Sequence, residues 1–202
     1  MQIFFGKVQA ETGAIFVLLA AMALNSCSSR PEQPPALITD KPFAAAGSIE
    51  MQLDGGDYII RAGTDEHIRV SFAGNYGKAA ADLKTSGTHA SLAVTDAPHS
   101  NFRPTVEVPA AADLTIHLAA GNLEIAAIKG NKDIESKAGN VSISIPNSSD
   151  YGAVDAAVMV GNLDAGPFGD SRSGLSPHLK WSGPGKYTLR ASLGAGNLEL
   201  KH

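Results

Sequence analysis

One dipeptide constrains this chain more than any other feature. Gly-Asn occurs at Gly74-Asn75, Gly121-Asn122, Gly130-Asn131, Gly139-Asn140, Gly161-Asn162 and Gly196-Asn197. From Gly121 the steps are 9, 9, 22 and 35 residues. Glycine takes positive φ without steric cost and asparagine is the next most tolerant residue, so each dipeptide marks a corner in the backbone. The residues after the corner are more informative. Gly121-NLEIA, Gly139-NVSIS, Gly161-NLDAG and Gly196-NLELK align without gaps. The second and fourth residues after glycine are apolar: Leu123/Ile125, Val141/Ile143, Leu163/Ala165 and Leu198/Leu200. The third is polar: Glu124, Ser142, Asp164 and Glu199. Side chains alternate across a strand, so each segment has one dry face and one wet face.

Corners recurring in one phase, with a repeat near 18 residues, predict an all-β fold. The expected form is a single-stranded β-solenoid of the parallel β-helix or β-roll type. Its coils stack at about 4.8 Å around an apolar column. The alternative is an antiparallel β-sandwich in which Gly-Asn forms type I′ hairpin turns. That alternative explains a turn but not the constant phase after it. Gly130-Asn131 departs from the pattern, because Lys132 falls where an apolar residue is due. A one-residue bulge that turns Ile134 inward would restore it. Repeats are weak over 43–112, which predicts an irregular N-terminal part of the domain. Residues 79–84 are read as a single helical turn and 166–178 as a long loop. Phe168 and Trp181 are expected to cover an open end of the core.

Residues 14–24, AIFVLLAAMAL, are uncharged and apolar. As a helix they span roughly 16 Å, about half a bilayer core, which fits a signal peptide and not a transmembrane helix. Leu24-Asn25-Ser26-Cys27 comes next and contains the only cysteine of the chain. It resembles a bacterial lipobox. The resemblance implies cleavage after Ser26, acylation of Cys27 (with palmitate among the chains), and, with Ser28 in place of Asp, sorting to the outer membrane. The expected organisation is a lipoprotein signal peptide over 1–26, a proline-rich tether over 27–42 and a β-strand-repeat domain over 43–202. Two acyl chains anchor stably where one does not.

Composition narrows the function. Of 202 residues 44% are apolar and 18% charged, a balance that argues for a packed core and against disorder. The net charge of −4 argues against a nucleic-acid partner, which calls for a basic face. A single cysteine leaves neither a disulfide framework nor a cysteine-based zinc site. The six histidines are scattered, and His117, between Ile116 and Leu118, is expected to face solvent. Asp54, Asp57 and Asp65 lie near turns, which accounts for them without calcium. Gly174-Leu175-Ser176-Pro177-His178 departs from the Gly-x-Ser-x-Gly elbow, and Gly183-Pro184-Gly185-Lys186 lacks the spacing and helix of a phosphate loop. No catalytic, cofactor or metal residue is assigned, so the chain is read as a non-enzyme.

The segments Gly47-SIEMQLDGGDYIIRAG-Thr64, Val106-EVPAAADLTIHLAAGNLEI-Ala126, Gly130-NKDIESKAGNVSISI-Pro146 and Gly183-PGKYTLRASLGAGNLEL-Lys201 carry a wider resemblance. From about Phe43 to Leu200 the chain resembles bacterial envelope lipoproteins with a domain described as a putative adhesin, a β-strand repeat of unknown function. The resemblance implies the fold and brings no activity with it. The expected role is a non-catalytic, lipid-anchored envelope protein whose solenoid surface serves structure, adhesion or binding. Glu124, Ser142, Asp164 and Glu199 are its candidate binding face. The expected partners are the membrane, through the anchor, and an envelope protein or a glycan. The alternatives are a regulatory partner or sensor in the envelope and a carbohydrate-active β-helix enzyme that uses paired carboxylates.

Overall fold

The computed structural model describes residues 33–202. It is all-β. The early strands are β1 (Gln33–Pro42), β2 (Ser48–Leu53), β3 (Gly56–Ala62), β4 (His67–Gly74), β5 (Ala80–Ser86), β6 (His89–Thr95) and β7 (Phe102–Val108). They are followed by β8 (Asp113–Leu118), β9 (Gly121–Ile125), β10 (Lys132–Ser144), β11 (Tyr151–Ala165), β12 (Asp170–Leu175), β13 (His178–Ser182) and β14 (Tyr187–Lys201). Single 3₁₀ turns sit at Ser148–Asp150 and Gly166–Phe168. The strands join in one 14-stranded sheet that nearly closes around a single apolar core. Cys27, the signal peptide and residues 27–32 of the expected tether lie outside the described residues.

The long strands bend at their glycines and serve two rows of the sheet. In one row β6, β2, β8 and the first halves of β10, β14 and β11 lie side by side, all parallel. In the other, β7, β3, β9 and the second halves of β10, β14 and β11 do the same. Register is maintained across the bends: Gly56, Gly121, Gly139, Gly196 and Gly161 stand in one column. Gly139 shows why the column must be glycine. Its φ is +125°, and a Cβ built there would overlap the Gly121 carbonyl oxygen. The interior columns follow from the alternation: Tyr58, Leu123, Val141, Leu198 and Leu163 are all buried and in register.

The order of rungs is not the order of the chain. β14 lies between β10 and β11, and β2/β3 lie between β6/β7 and β8/β9. The outermost rungs are covered by antiparallel strands: β4 on β7, then β1 on β4; β5 on β6; β12 and β13 on β11. An antiparallel cover needs only a short connection, so at the C-terminal end the chain lays down the terminal rung β11, turns back over it with β12 and β13, and then fills the slot inside with β14.

Five expectations are corrected. The segment 43–112 is regular, with β2 and β3 stacked in register on β8 and β9. Its repeat is masked because Gly56-Asp57-Tyr58-Ile59-Ile60 carries aspartate in the asparagine position. Residues 33–42 of the expected tether are the edge strand β1, with register breaks between Gln33 and Ala36 and between Leu37 and Thr39. An edge strand tolerates prolines that a central strand does not. Residues 80–86 are a strand, not a helical turn. The 166–178 segment is a 3₁₀ turn and β12, hairpinned on β11. Phe168 and Trp181 do pack together there, their rings 4.9 Å apart, against the core.

The fifth correction is at Lys132. There is no bulge, and β10 pairs with β8 and β14 without a shift from Lys132 onward. Lys132 itself turns inward, 2% exposed, in an apolar column with Ile49, Leu114, Leu189 and Val154. Its stem fills the column while Nζ donates to the carbonyls of Ile128 (2.6 Å) and Gly130 (3.2 Å) and to the Tyr151 hydroxyl (3.0 Å). Burial lowers its pKa to about 8, with Asp113 opposing. The same burial lifts the Tyr151 phenol to about 12.

Candidate functional site

The outward positions beside the glycine column form a face built from five rungs. Asp57, Asn122, Asn140, Asn197 and Asn162 are in register and exposed. Their side chains make a ladder. Asn162 donates to Asn197 (2.7 Å), Asn197 to Asn140 (2.7 Å), Asn140 to Asn122 (2.8 Å), and Asn122 to the Asp57 carboxylate (2.6 Å). All four amides donate in one direction and end on a charge, which strengthens the terminal bond. Sequence reasoning reads these asparagines as turn formers. Their identical offset from the stacked glycines is the signal that they also pair with one another.

Two residues further along each rung stand the expected face residues. The structure brings all four together, next to Ile59, in the order Ile59, Glu124, Ser142, Glu199, Asp164. The insertion of β14 changes their neighbours. Ser142 separates Glu124 from Glu199, and Glu199 and Asp164 are adjacent. Ser142 Oγ donates to Glu199 (3.3 Å), and Lys201 Nζ is 3.6 Å from Glu124. Asp164 is occupied locally: it accepts from Ser171 Oγ (2.6 Å) and from the Gly166 amide (3.2 Å), holding the turn into β12. Asp164 is thus tied into the turn, whereas Glu124, Ser142 and Glu199 interact only across the rungs of the face itself. Asp57, Ile59, Arg103, Asn122 and Glu124 also line a shallow groove of about 320 Å³ on this face.

The opposite row carries a second outward column, Glu50, Thr115, Asp133, Arg190, Asp155 and Lys180. Opposite charges alternate there, with Arg190 and Asp133 at 3.8 Å and Lys180 and Asp155 at 3.9 Å. Exposed pairs of this length contribute at most about 1 kcal/mol each and mainly favour the correct register. His117 lies on this side, half-exposed and 3.2 Å from Glu135. His178 is bonded to Asp155 at 2.7 Å, while Ser176 occupies a turn at φ +54°. Asp54 bonds to the Gly55 amide, Asp57 ends the ladder and Asp65 pairs with Arg69. Among the described residues no three His, Cys, Asp or Glu side chains gather as a metal site would need.

At the β1 end a second charge ladder crosses four strands. Asp40, Arg69, Glu107 and Arg61 are in register, and Arg69 also reaches Asp65. The hydrogen bond from His67 is the main cause that holds the Asp40 carboxyl below its ordinary range, and Arg69 does the same for Asp65.

No family model matches the chain, and no curated protein is similar to it in sequence. Solved structures do match it, among them the following two. The first is a "putative cell adhesion protein" from Clostridium sporogenes ATCC 15579, with a TM-score of 0.52 at 11% identity, covering 83% of this chain and 99% of that one. At that identity the likeness shows a shared fold. The second is a "putative adhesin" from Bacteroides fragilis NCTC 9343 at 8% identity, covering 83% of this chain and 97% of that one. Its TM-score of 0.26 carries no structural argument.

Proposed function

We propose that this protein is a lipid-anchored, non-catalytic protein of the outer membrane, and that its body is a β-solenoid whose rungs are laid down out of chain order. In this reading residues 1–26 are removed and Cys27 is acylated. The face formed by Glu124, Ser142 and Glu199 beside the asparagine ladder then binds a glycan or an envelope protein. The observation that carries the reading is the five-rung register of that face. Laddered side chains hold its polar groups at a fixed repeat of about 4.8 Å, as a pre-organised surface requires. The adhesion name of the Clostridium sporogenes structure agrees with such a role.

The test has two arms. Cys27→Ala should move the protein from the membrane to the soluble fraction; retention of the variant in membranes contradicts the anchor. Glu124→Gln/Glu199→Gln should weaken at least tenfold whatever the wild-type protein retains from a glycan panel and an envelope extract. Unchanged retention contradicts the assigned face.

A further inference from the structure

The sheet has free edges among the described residues, and they are not alike. β1 pairs only with β4, but Pro34, Pro35 and Pro42 and two register breaks spoil it for further pairing. These are the devices by which natural sheets block an edge. β12 pairs only with β11, has no proline and no register break, and its six residues are exposed or half-buried. Leu175, 83% exposed, and its cross-strand neighbour Val160, 50% exposed, lie at the end of the same pair of strands. An open strand with apolar side chains beside it is suited to accept another strand.

We infer that β12 is an interface between two copies of this chain, which pair antiparallel through β12 about a two-fold axis at Ser171. Charge selects both the occupant and the register. Side chains facing each other across two strands lie on one face, so a two-fold perpendicular to the sheet pairs even residues with even and odd with odd. Within β12 the axis therefore falls on a residue. At Arg172 it would set two guanidinium groups opposite each other, which is destabilising. At Ser173 it would set Arg172 against Gly174. At Ser171 it sets Asp170 of each copy opposite Arg172 of the other, giving two ion pairs. The two side chains already share a face and meet at 2.8 Å within one strand. Arg172 also donates to the His178 carbonyl (2.9 Å), which keeps it at the edge. Pairing would join the two sheets into one through Asp170, Ser171 and Arg172 of each copy.

The symmetry gives a test that a misfolded variant does not imitate. Full-length copies with two different epitope tags are co-expressed, and co-purification from a detergent-treated whole-cell lysate is measured, so that the result does not depend on the anchor. Wild-type copies should co-purify. Asp170→Arg with itself, and Arg172→Asp with itself, should each lose at least tenfold, because each sets like charges opposite. Asp170→Arg with Arg172→Asp should recover, since both cross-pairs are again of opposite sign. Ser171→Cys should cross-link two copies under a mild oxidant, and Ser173→Cys much less. Wild-type copies that do not co-purify, single variants that pair as wild type does, or a mixed pair no better than either variant alone would each overturn the interface. Recovery of a different protein in place of the second copy would overturn it as well.

Discussion

The middle of the stack and its ends obey different rules. In the middle, β9, β10, β14 and β11 are parallel and in register, glycine over glycine, asparagine over asparagine and aliphatic over aliphatic. At the ends, β4, β5, β12 and β13 run antiparallel to the rung they cover, and nothing in them repeats. A repeated rung can only be matched by its own kind, so its sequence is held to one pattern. A cap such as β5, β12 or β13 has one strand partner and an open side, and its sequence is less constrained. The difference predicts that equivalent changes cost much in the middle and little at the ends.

The largest contrast is between two glycines at positive φ. Gly139→Ala would drive a Cβ into the backbone of the neighbouring rung, and no side-chain adjustment relieves that. A loss of more than about 4 kcal/mol, or failure to fold, is expected. At Gly174, φ is +114° but nothing lies within 4 Å of a Cβ. Gly174→Ala should cost only the conformational strain, about 1–2 kcal/mol. Urea denaturation of both variants measures the difference, and equal losses would remove the distinction between middle and end.

Next come the leucines. Leu198, buried between Val141 and Leu163, should cost about 2–5 kcal/mol on change to alanine. Leu175→Ala at the open end should stay within about 0.5 kcal/mol in the monomer. A costly Leu175→Ala in monomeric protein would show that the end is packed.

The third prediction concerns Lys132. Its pKa falls from 10.5 unfolded to about 8 folded, so between those values the unfolded chain binds more protons. Stability contributed by this group is then complete above pH 10.5 and is lost as pH falls through 8. Wild type should gain up to about 3 kcal/mol relative to Lys132→Met between pH 8 and 10.5. Parallel stability curves for the two proteins would contradict a buried amine.

The same division explains which features are legible in the sequence. The four gapless segments place Leu123, Val141, Leu163 and Leu198 inside, and the structure buries all of them. They also place Glu124, Ser142, Asp164 and Glu199 outside on one face, as observed. Alternation carries that information because burial of one face is what fixes strand register. The rung order is not legible. Nothing local to β14 says that it sits between β10 and β11, since its pattern matches either neighbour equally well. Lys132 misleads because a long amphipathic side chain can occupy an apolar column if its tip finds carbonyls, and those carbonyls lie in the Ile128–Gly130 segment. β12 is hidden for the opposite reason, since an exposed strand paired on one side leaves no hydrophobic alternation.

The central claim is that glycine corners stack these strands in parallel, in the order β9, β10, β14, β11. Interstrand contacts by NMR test it most directly at the asparagines. The structure predicts backbone contacts of parallel type for Asn122 with Asn140, Asn140 with Asn197 and Asn197 with Asn162, and none between Asn140 and Asn162. A direct Asn140–Asn162 contact, or antiparallel contacts at these corners, would contradict it.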